Sequence, residues 1–329
     1  MGVLTAIENS FGMPQRVRSL YSAQSKDPSA RNLTANSEPD MNTPCKKKRL
    51  PANPKTLRSM GRRIAPILAR ALTRQPWLNY LRWSETYLAL LQGKGAGDGW
   101  DLKAEVEAAA KFVPGNKPVV FDVGANVGNW SKLFLDQRPD AKLFLFEPAS
   151  ACQAAIAGLH LSNARLIGAA VGRTKGTARL HTCDPTAEIA SLYARRNSPE
   201  LKFSSMEVPV VRLDDVIEEL QIETVDFLKM DIEGAEIDAL HGAMVSLRAG
   251  TIRALSFEFG LNNIESRTFF RDFWDLLVPF GFSIFRIAPG GNLIQIHEYR
   301  EELEYFKIVS NYVAVRSKDQ VVSDDRTSK

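Results

Sequence analysis

Apolar runs and amphipathic stretches alternate along most of the chain. Continuous apolar runs predict strands that begin at Val119 and that span Leu143–Phe146, Val208–Leu213, Val225–Met230 and Arg253–Phe259. Helical spacing of apolar residues between these runs predicts helices over Asn129–Gln137, Ala149–Leu161, Ala235–Leu247 and Thr268–Pro279. Because strands that alternate with helices form sheets with helices on both faces, the pattern predicts a doubly wound, mostly parallel α/β sheet of seven strands.

The last predicted strands, Phe282–Ile287 and Tyr312–Val315, are expected to differ from the others in direction. Turn residues at Pro289-Gly-Gly-Asn292 separate them, so we expect these final strands to run antiparallel. A hairpin arm is predicted at Thr177–His181.

The N-terminal part of the chain lacks this alternation. Residues 1–54 are rich in Ser, Asn, Pro and Lys and show no period, which predicts a disordered basic extension. Residues 55–100 are interpreted as an amphipathic helical cap or linker, with apolar residues at helical spacing between arginines. Residues 101–316 are predicted to form the α/β domain, and residues 317–329 a polar tail.

Composition narrows the class of protein. The 329 residues are 44% hydrophobic, enough for one full α/β domain with an extension. The three cysteines, Cys45, Cys152 and Cys183, are too few and too scattered for a disulfide framework or a zinc site. No run has the roughly 18 apolar residues of a membrane span, and no signal peptide is evident, so we expect a cytoplasmic protein.

Charge is distributed unevenly. Residues 1–75 contain fourteen Lys and Arg against four Asp and Glu, a net charge of +10, while the whole chain is +4. The run Lys46–Arg49 has the composition of a segment that binds nucleic acid or anionic lipid, but a solvated linker is the commoner role of such runs. Peripheral membrane contact through residues 56–75 stays open, and nucleic acid is the less favoured partner.

Candidate chemistry begins where the first strand enters a glycine-bearing turn. Asp122 ends the strand, and Gly124, Asn126 and Gly128 form the turn. Glu147 follows the second strand, 23 residues after Gly124, where a carboxylate can accept hydrogen bonds from both hydroxyls of a ribose. The turn lacks one glycine of the pyrophosphate-binding fingerprint, so S-adenosylmethionine, which has no pyrophosphate, is the predicted ligand.

A third acidic motif follows the strand Val225–Met230. Asp231 and Glu233 come directly before Gly234, and Glu258 lies within the next predicted strand. Ligands of open α/β sheets bind beyond the carboxyl ends of the strands, so these acids should border the same crevice as Gly124 and Glu147.

These motifs resemble the FkbM-type family of S-adenosylmethionine-dependent O-methyltransferases. The resemblance rests on Phe121-Asp-Val-Gly-Ala-Asn-Val-Gly128, Phe146-Glu-Pro148, Ala169-Ala-Val-Gly172, Leu213-Asp-Asp215 and Val225-Asp-Phe-Leu-Lys-Met-Asp-Ile-Glu-Gly-Ala-Glu236, in that order. It implies a Rossmann-like class I methyltransferase fold and methyl transfer to a hydroxyl of a small molecule or glycan, such as a sugar, a glycolipid or a polyketide-like acceptor. It also places Ala170 and Ser191 beside the cofactor.

An aliphatic hydroxyl must lose its proton during or after methyl transfer, which requires a base or a metal. Asp231, Glu233 and Glu258 are therefore the candidate catalytic residues, with Asp231 as the first choice for the base. A divalent metal, if one is used, is expected on Asp231 and Glu258. The structural alternative is that the acids simply cap the following helix.

Two other classes of enzyme stay open from the residues alone. An NAD-dependent Rossmann oxidoreductase shares the strand, the turn and the acid, but requires the missing glycine. A nucleic-acid methyltransferase would explain the basic N-terminal segment, yet the Asp/Asn-Pro-Pro-aromatic motif of amino methylation is absent where Asp231-Ile-Glu233 stands.

Overall fold

The computed structural model describes residues 65–66, 68–70, 72–97, 102–113, 115–183, 190–194 and 203–317. The chain divides into two units, Met1–Thr86 and Tyr87–Lys329. The predicted extension at residues 1–54, the tail at 317–329 beyond its first residue, and most of the apolar positions expected between residues 55 and 72 lie outside the described residues.

The described helices and strands alternate much as the apolar pattern predicts. The helices are α1 (Trp77–Leu91), α2 (Leu102–Lys111), α3 (Asn129–Gln137), α4 (Ser150–Gly158), α5 (Leu213–Glu219), α6 (Glu236–His241), α7 (Met244–Ala249), α8 (Asn263–Ser266) and α9 (Phe270–Leu277). The strands are β1 (Val119–Val123), β2 (Lys142–Phe146), β3 (Ala164–Ile167), β4 (Ala170–Val171), β5 (Gly176–Thr182), β6 (Ser204–Val211), β7 (Phe227–Met230), β8 (Ala254–Phe259), β9 (Phe282–Ala288), β10 (Asn292–Ile296) and β11 (Ser310–Arg316).

The main sheet confirms the predicted doubly wound α/β class. Its eight strands have the order β3-β2-β1-β7-β8-β11-β9-β10. The five from β3 to β8 pair in parallel, and β11, β9 and β10 are antiparallel, as expected for the last strands. The sheet has eight strands and not seven because β3 and β10 were not named as strands, whereas the predicted strand Val208–Leu213 overlaps β6, which belongs to a second sheet. The turn at Pro289–Gly291 reverses the chain into β10, an added edge strand.

A second, smaller sheet was not expected. It has the order β4-β6-β5, with β5 and β6 antiparallel along their full lengths. The predicted hairpin arm is therefore present as β5, but its partner is β6, which begins 22 residues after β5 ends. This sheet packs its apolar face around Cys152 and Leu180.

The two faces of the main sheet have separate cores. On one face, Phe257 stacks on Phe273 with ring centroids 4.3 Å apart, and both rings are fully buried. On the other face, Trp130 of α3 stacks on Phe134 at 5.0 Å. Burial of large rings on both faces supplies most of the apolar area that stabilises such a domain and holds the strand ends in place.

The predicted helix over Ala235–Leu247 is divided into α6 and α7 at Gly242. A side chain on Gly242 would place its Cβ 2.3 Å from the carbonyl oxygen of Gly172. The chain thus brings a carbonyl from the loop after β4 into the helix surface, which interrupts the helix at that point. None of the helices among the described residues is long and apolar enough to span a bilayer.

Candidate active site

The turn after β1 is built around a close approach of two strand ends. Gly124 has φ +81°, and a Cβ there would lie 1.9 Å from the carbonyl oxygen of Asp231 after β7. Gly124 is therefore required because the backbones of two neighbouring strands nearly touch, and not only because a ligand approaches. Gly128, at φ +85°, similarly faces Leu159 and Ile156, so it lets α3 pack against the end of α4.

Glu147 lies at the end of β2 and is 6% exposed. One carboxylate oxygen accepts the backbone N–H of Asn126 at 2.9 Å, and the other accepts that of Ala149 at 2.8 Å. Burial raises the pKa of Glu147 to about 7, against the opposing effect of these two donors. A carboxylate oxygen has a second lone pair, so each can accept one further hydrogen bond, as a ribose diol requires.

Lys229 contacts groups at the carboxyl ends of both β1 and β7. It stands beside Asp122 in the register of β1 and β7, and its Nζ lies 3.1 Å from Oδ1 of that carboxylate. The same Nζ donates to the carbonyl oxygen of Gly124 at 3.1 Å and lies 3.4 Å from Oδ2 of Asp231. Burial disfavours the charge of this 6% exposed side chain, but the carboxylates of Asp122 and Asp231 outweigh it and hold the pKa of Lys229 above its ordinary value.

Asp122 itself is fully buried. Besides the ion pair with Lys229, it accepts a hydrogen bond from the Ser131 hydroxyl at 2.7 Å. The structure thus places this predicted cofactor residue beneath the turn, where its contacts are with the protein.

Glu233 and Glu236 shape the loop after β7. Glu233 has φ +57° and accepts a hydrogen bond from the Asn262 side chain. Glu236 is fully buried and accepts the backbone N–H groups of Ile232 and Gly234, and burial raises its pKa to about 7. Glu236 therefore supports the loop that presents Asp231 and Glu233.

A pocket opens at the carboxyl ends of β7 and β8. Its lining residues are Glu105, Trp130, Lys229, Met230, Asp231, Ser256, Phe257, Glu258, Ile287 and Asn311. The side chain of Asp231 is 41% exposed here, and Glu258 is partly buried. Asn311 of β11 stands beside Glu258 in the strand register and donates to the carboxylate of Glu105 on α2.

The acids of this pocket stand in different electrostatic surroundings. Burial and the negative charges of Asp231 and Glu233 raise the pKa of Glu258 well above its usual range. Asp231 instead faces the cation of Lys229. Neighbouring carboxyl groups in such different surroundings are the usual arrangement for separate acid and base roles.

The two remaining predicted site residues, Ala170 and Ser191, follow β3 in the chain. Ala170 is buried in β4 of the small sheet. Ser191 is 2% exposed and donates its hydroxyl to the carbonyl oxygen of Glu233 at 2.8 Å. Ser191 therefore connects the segment that follows β5 to the acidic loop, while Ala170 contributes backbone and packing.

Among the described residues, no three or more His, Cys, Asp or Glu side chains are grouped so as to hold a metal ion. Asp231, Glu258 and Glu105 all line the pocket, but they do not form such a group.

The structure brings Gly124, Asn126, Glu147, Asp231 and Glu258 to one edge of the sheet. Sequence reasoning missed Lys229, Glu105 and Asn311. A signal for Lys229 was present, because a charged residue inside an apolar strand is almost always paired when buried. The pairing of Glu105 with Asn311 joins residues 206 positions apart and left no local pattern.

Comparison with known proteins supports one family. Residues 122–284 match the model described as the methyltransferase FkbM domain. The chain is 31% identical to 2-O-methyltransferase NoeI of Sinorhizobium fredii (strain NBRC 101917 / NGR234), over 40% of this chain and 59% of that protein. It is 29% identical to methyltransferase sdnD of Sordaria araneosa, over 40% of this chain and 61% of that protein.

These matches span about three fifths of each relative's own length. Among solved structures, an S-adenosylmethionine-dependent methyltransferase from Agrobacterium tumefaciens is similar with a TM-score of 0.35 and 10% identity, over 67% of this chain and 63% of that one. The family match begins at residue 122 and ends at 284, so Glu105 and Asn311 lie outside it.

Proposed function

We propose that the domain matched by the FkbM methyltransferase model, residues 122–284, transfers the methyl group of S-adenosylmethionine to a hydroxyl of a small molecule or glycan. When bound, this cofactor supplies an electrophilic methyl group on a sulfonium. The hydroxyl acceptor is inferred from the printed name of the relative NoeI, a 2-O-methyltransferase, and from the acids of the pocket.

One observation carries the proposal: two sets of polar groups lie together at the carboxyl ends of the parallel strands. The turn Gly124–Gly128 and Glu147 lie at the ends of β1 and β2, while Asp231 and Glu258 lie at the ends of β7 and β8. Glu147 keeps acceptor capacity for a ribose, and the turn offers backbone where the tail of the ligand would lie. The residues present therefore fit S-adenosylmethionine.

The acids then have distinct roles in the proposal. Asp231 is ion-paired with Lys229 and exposed to the pocket, so it accepts the proton that the acceptor hydroxyl loses. Burial and the neighbouring acids raise the pKa of Glu258 and so favour its protonated form, which in this proposal donates a hydrogen bond that orients the acceptor. Glu233 fixes the loop through Asn262 and adds negative charge beside Glu258. Methyl transfer depends mainly on holding the oxygen behind the methyl group.

Isothermal calorimetry with the full chain separates this proposal from the dehydrogenase alternative. We expect heat of binding with S-adenosylmethionine and none with NAD. Incubation of cell metabolites with the protein and isotopically labelled donor, followed by mass spectrometry, then identifies the acceptor. Label on a hydroxyl of a small molecule or glycan supports the proposal. Label on nucleic acid, or binding of NAD alone, contradicts it.

A further inference from the structure

Helix α1 carries an apolar stripe that faces solvent. Six of its large side chains are separated by three, four or seven residues and therefore lie on one side of the helix. They are Trp77, Tyr80, Leu81, Tyr87, Leu88 and Leu91. Their exposed fractions run from 42% for Tyr87 to 59% for Leu88. A row of exposed aromatic and leucine side chains on one helix is unusual for a protein surface and marks an interaction site.

This stripe is not the side on which the helix is covered. Ala89 is 6% exposed, and Leu78, Thr86 and Leu90 are partly buried. By helical spacing these residues lie on the side opposite Trp77 and Leu88. Ala89 is the one buried residue of α1, and the side that carries Trp77 and Leu88 is left open by the described residues.

The stretch of sequence that contains α1 is strongly basic. Residues 41–97 contain twelve Lys and Arg and a single acid, Glu85. Of the basic residues that the structure describes, Arg70, Arg74 and Arg82 are all exposed. Basic residues close to a bilayer are attracted to anionic lipid headgroups, while Trp and Tyr prefer the boundary between headgroups and acyl chains.

We propose that α1 lies flat on the surface of an anionic lipid bilayer, with the stripe from Trp77 to Leu91 inserted at the headgroup boundary. The proposed contact lies in α1, which begins after residues 56–75. Helix α1 has 15 residues and combines large apolar side chains with Arg82 and Glu85, a polarity that suits a helix lying in the interface.

Two other occupants fit the stripe less well. Single-stranded nucleic acid is bound by stacking bases on aromatic rings, and Leu81, Leu88 and Leu91 offer no ring for stacking. A second copy of the chain would bring two segments together that each carry twelve basic residues and one acid, and like charges repel. An anionic bilayer satisfies both the aliphatic side chains and the positive charge.

Vesicle co-sedimentation of the full chain tests this proposal. We expect binding to vesicles of phosphatidylcholine mixed with phosphatidylglycerol, weaker binding to phosphatidylcholine alone, and a further decrease when salt is raised. The double variant Leu81→Gln with Leu88→Gln should lower the partition coefficient about tenfold. The matched control, Asn79→Gln with Arg82→Lys, keeps the charge and should bind like the original chain.

Circular dichroism and binding of S-adenosylmethionine show whether each variant is folded, so failure of this proposal can be told apart from failure of the proposed function. The proposal is overturned if the original chain does not sediment with the mixed vesicles. It is also overturned if the leucine variant instead loses self-association in size-exclusion chromatography, or affinity for a single-stranded oligonucleotide, while its vesicle binding is unchanged.

Discussion

The two sides of the candidate active site differ in how firmly the protein holds its own charged groups. On the donor side, formed by Asp122, the turn Gly124–Gly128 and Glu147, both carboxylates are nearly inaccessible and each accepts hydrogen bonds from the protein. On the acceptor side, formed by Glu105, Asp231, Glu233 and Glu258, Asp231 is 41% exposed. Burial and the nearby negative charges of Asp231 and Glu233 raise the pKa of Glu258 on the same side.

This difference fits the chemistry that we propose for the domain. A cofactor that never varies is best held by groups fixed in advance, since ordering them on binding would cost affinity. An acceptor hydroxyl must be deprotonated, so the groups beside it need unequal and perturbed proton affinities. Lys229 contacts both sides, so we expect its replacement to have the largest effect.

The largest effect is expected from Lys229→Met. The variant leaves Asp122 fully buried without its cation, and an uncompensated buried charge costs about 3–5 kcal/mol of unfolding free energy. Urea denaturation measures this loss. The control Lys132→Met removes an exposed ion pair with Asp136 and should cost less than about 1 kcal/mol.

Adding Asp122→Asn to Lys229→Met should recover part of the lost stability, because the unpaired carboxylate is then removed as well. A loss as small as that of the Lys132 control would mean that Asp122 is solvated or protonated. The donor side would then not depend on Lys229.

The second effect is catalytic and concerns the acceptor side alone. Asp231→Asn keeps the size of the side chain and removes the proposed base, so kcat should fall about 100-fold or more while the dissociation constant of S-adenosylmethionine changes less than about twofold. Label transfer to the identified acceptor measures kcat, and calorimetry measures donor binding. Asp275→Asn, in an exposed ion pair with Arg271, is the control. Retained turnover would transfer the role of the base to another acid of the pocket.

The donor side was largely predictable from the sequence, and the reason is local. Gly124, Asn126 and Glu147 follow apolar strands directly, so their positions depend only on the strands ending where the apolar runs end. The strand-to-turn pattern therefore identified the fold class and placed Glu147 at the end of β2, where the proposed ribose contact would lie. Their exact contacts, such as the approach of Gly124 to Asp231, depend on the pairing of β1 with β7 and could not be read from spacing.

The acceptor side was only partly predictable because it is assembled from distant parts of the chain. Glu105 comes from α2, Glu258 from β8 and Asn311 from β11, and each is brought in by tertiary packing. The small sheet was not predicted for the same reason, because its strands β5 and β6 pair across a long connection. Lys229 was missed for a different reason. A lysine within an apolar strand is itself a signal for a buried ion pair, and this signal was not used.

The smallest effect sharpens the donor side through pH. Burial raises the pKa of Glu147 to about 7, so below that pH the carboxyl is protonated and accepts poorly from a ribose diol. A bound donor favours the ionised form, so affinity for S-adenosylmethionine should rise between about pH 6 and about pH 8 and then level off. Glu147→Gln should weaken binding about tenfold at the higher pH and flatten the profile, because a glutamine amide has one acceptor oxygen and does not titrate. Calorimetry across this range measures both changes, with Glu265→Gln as the control. An unchanged pH profile in the Glu147 variant would show that another group sets the pH dependence. Glu147 would then not be the ribose contact that we propose for the donor side.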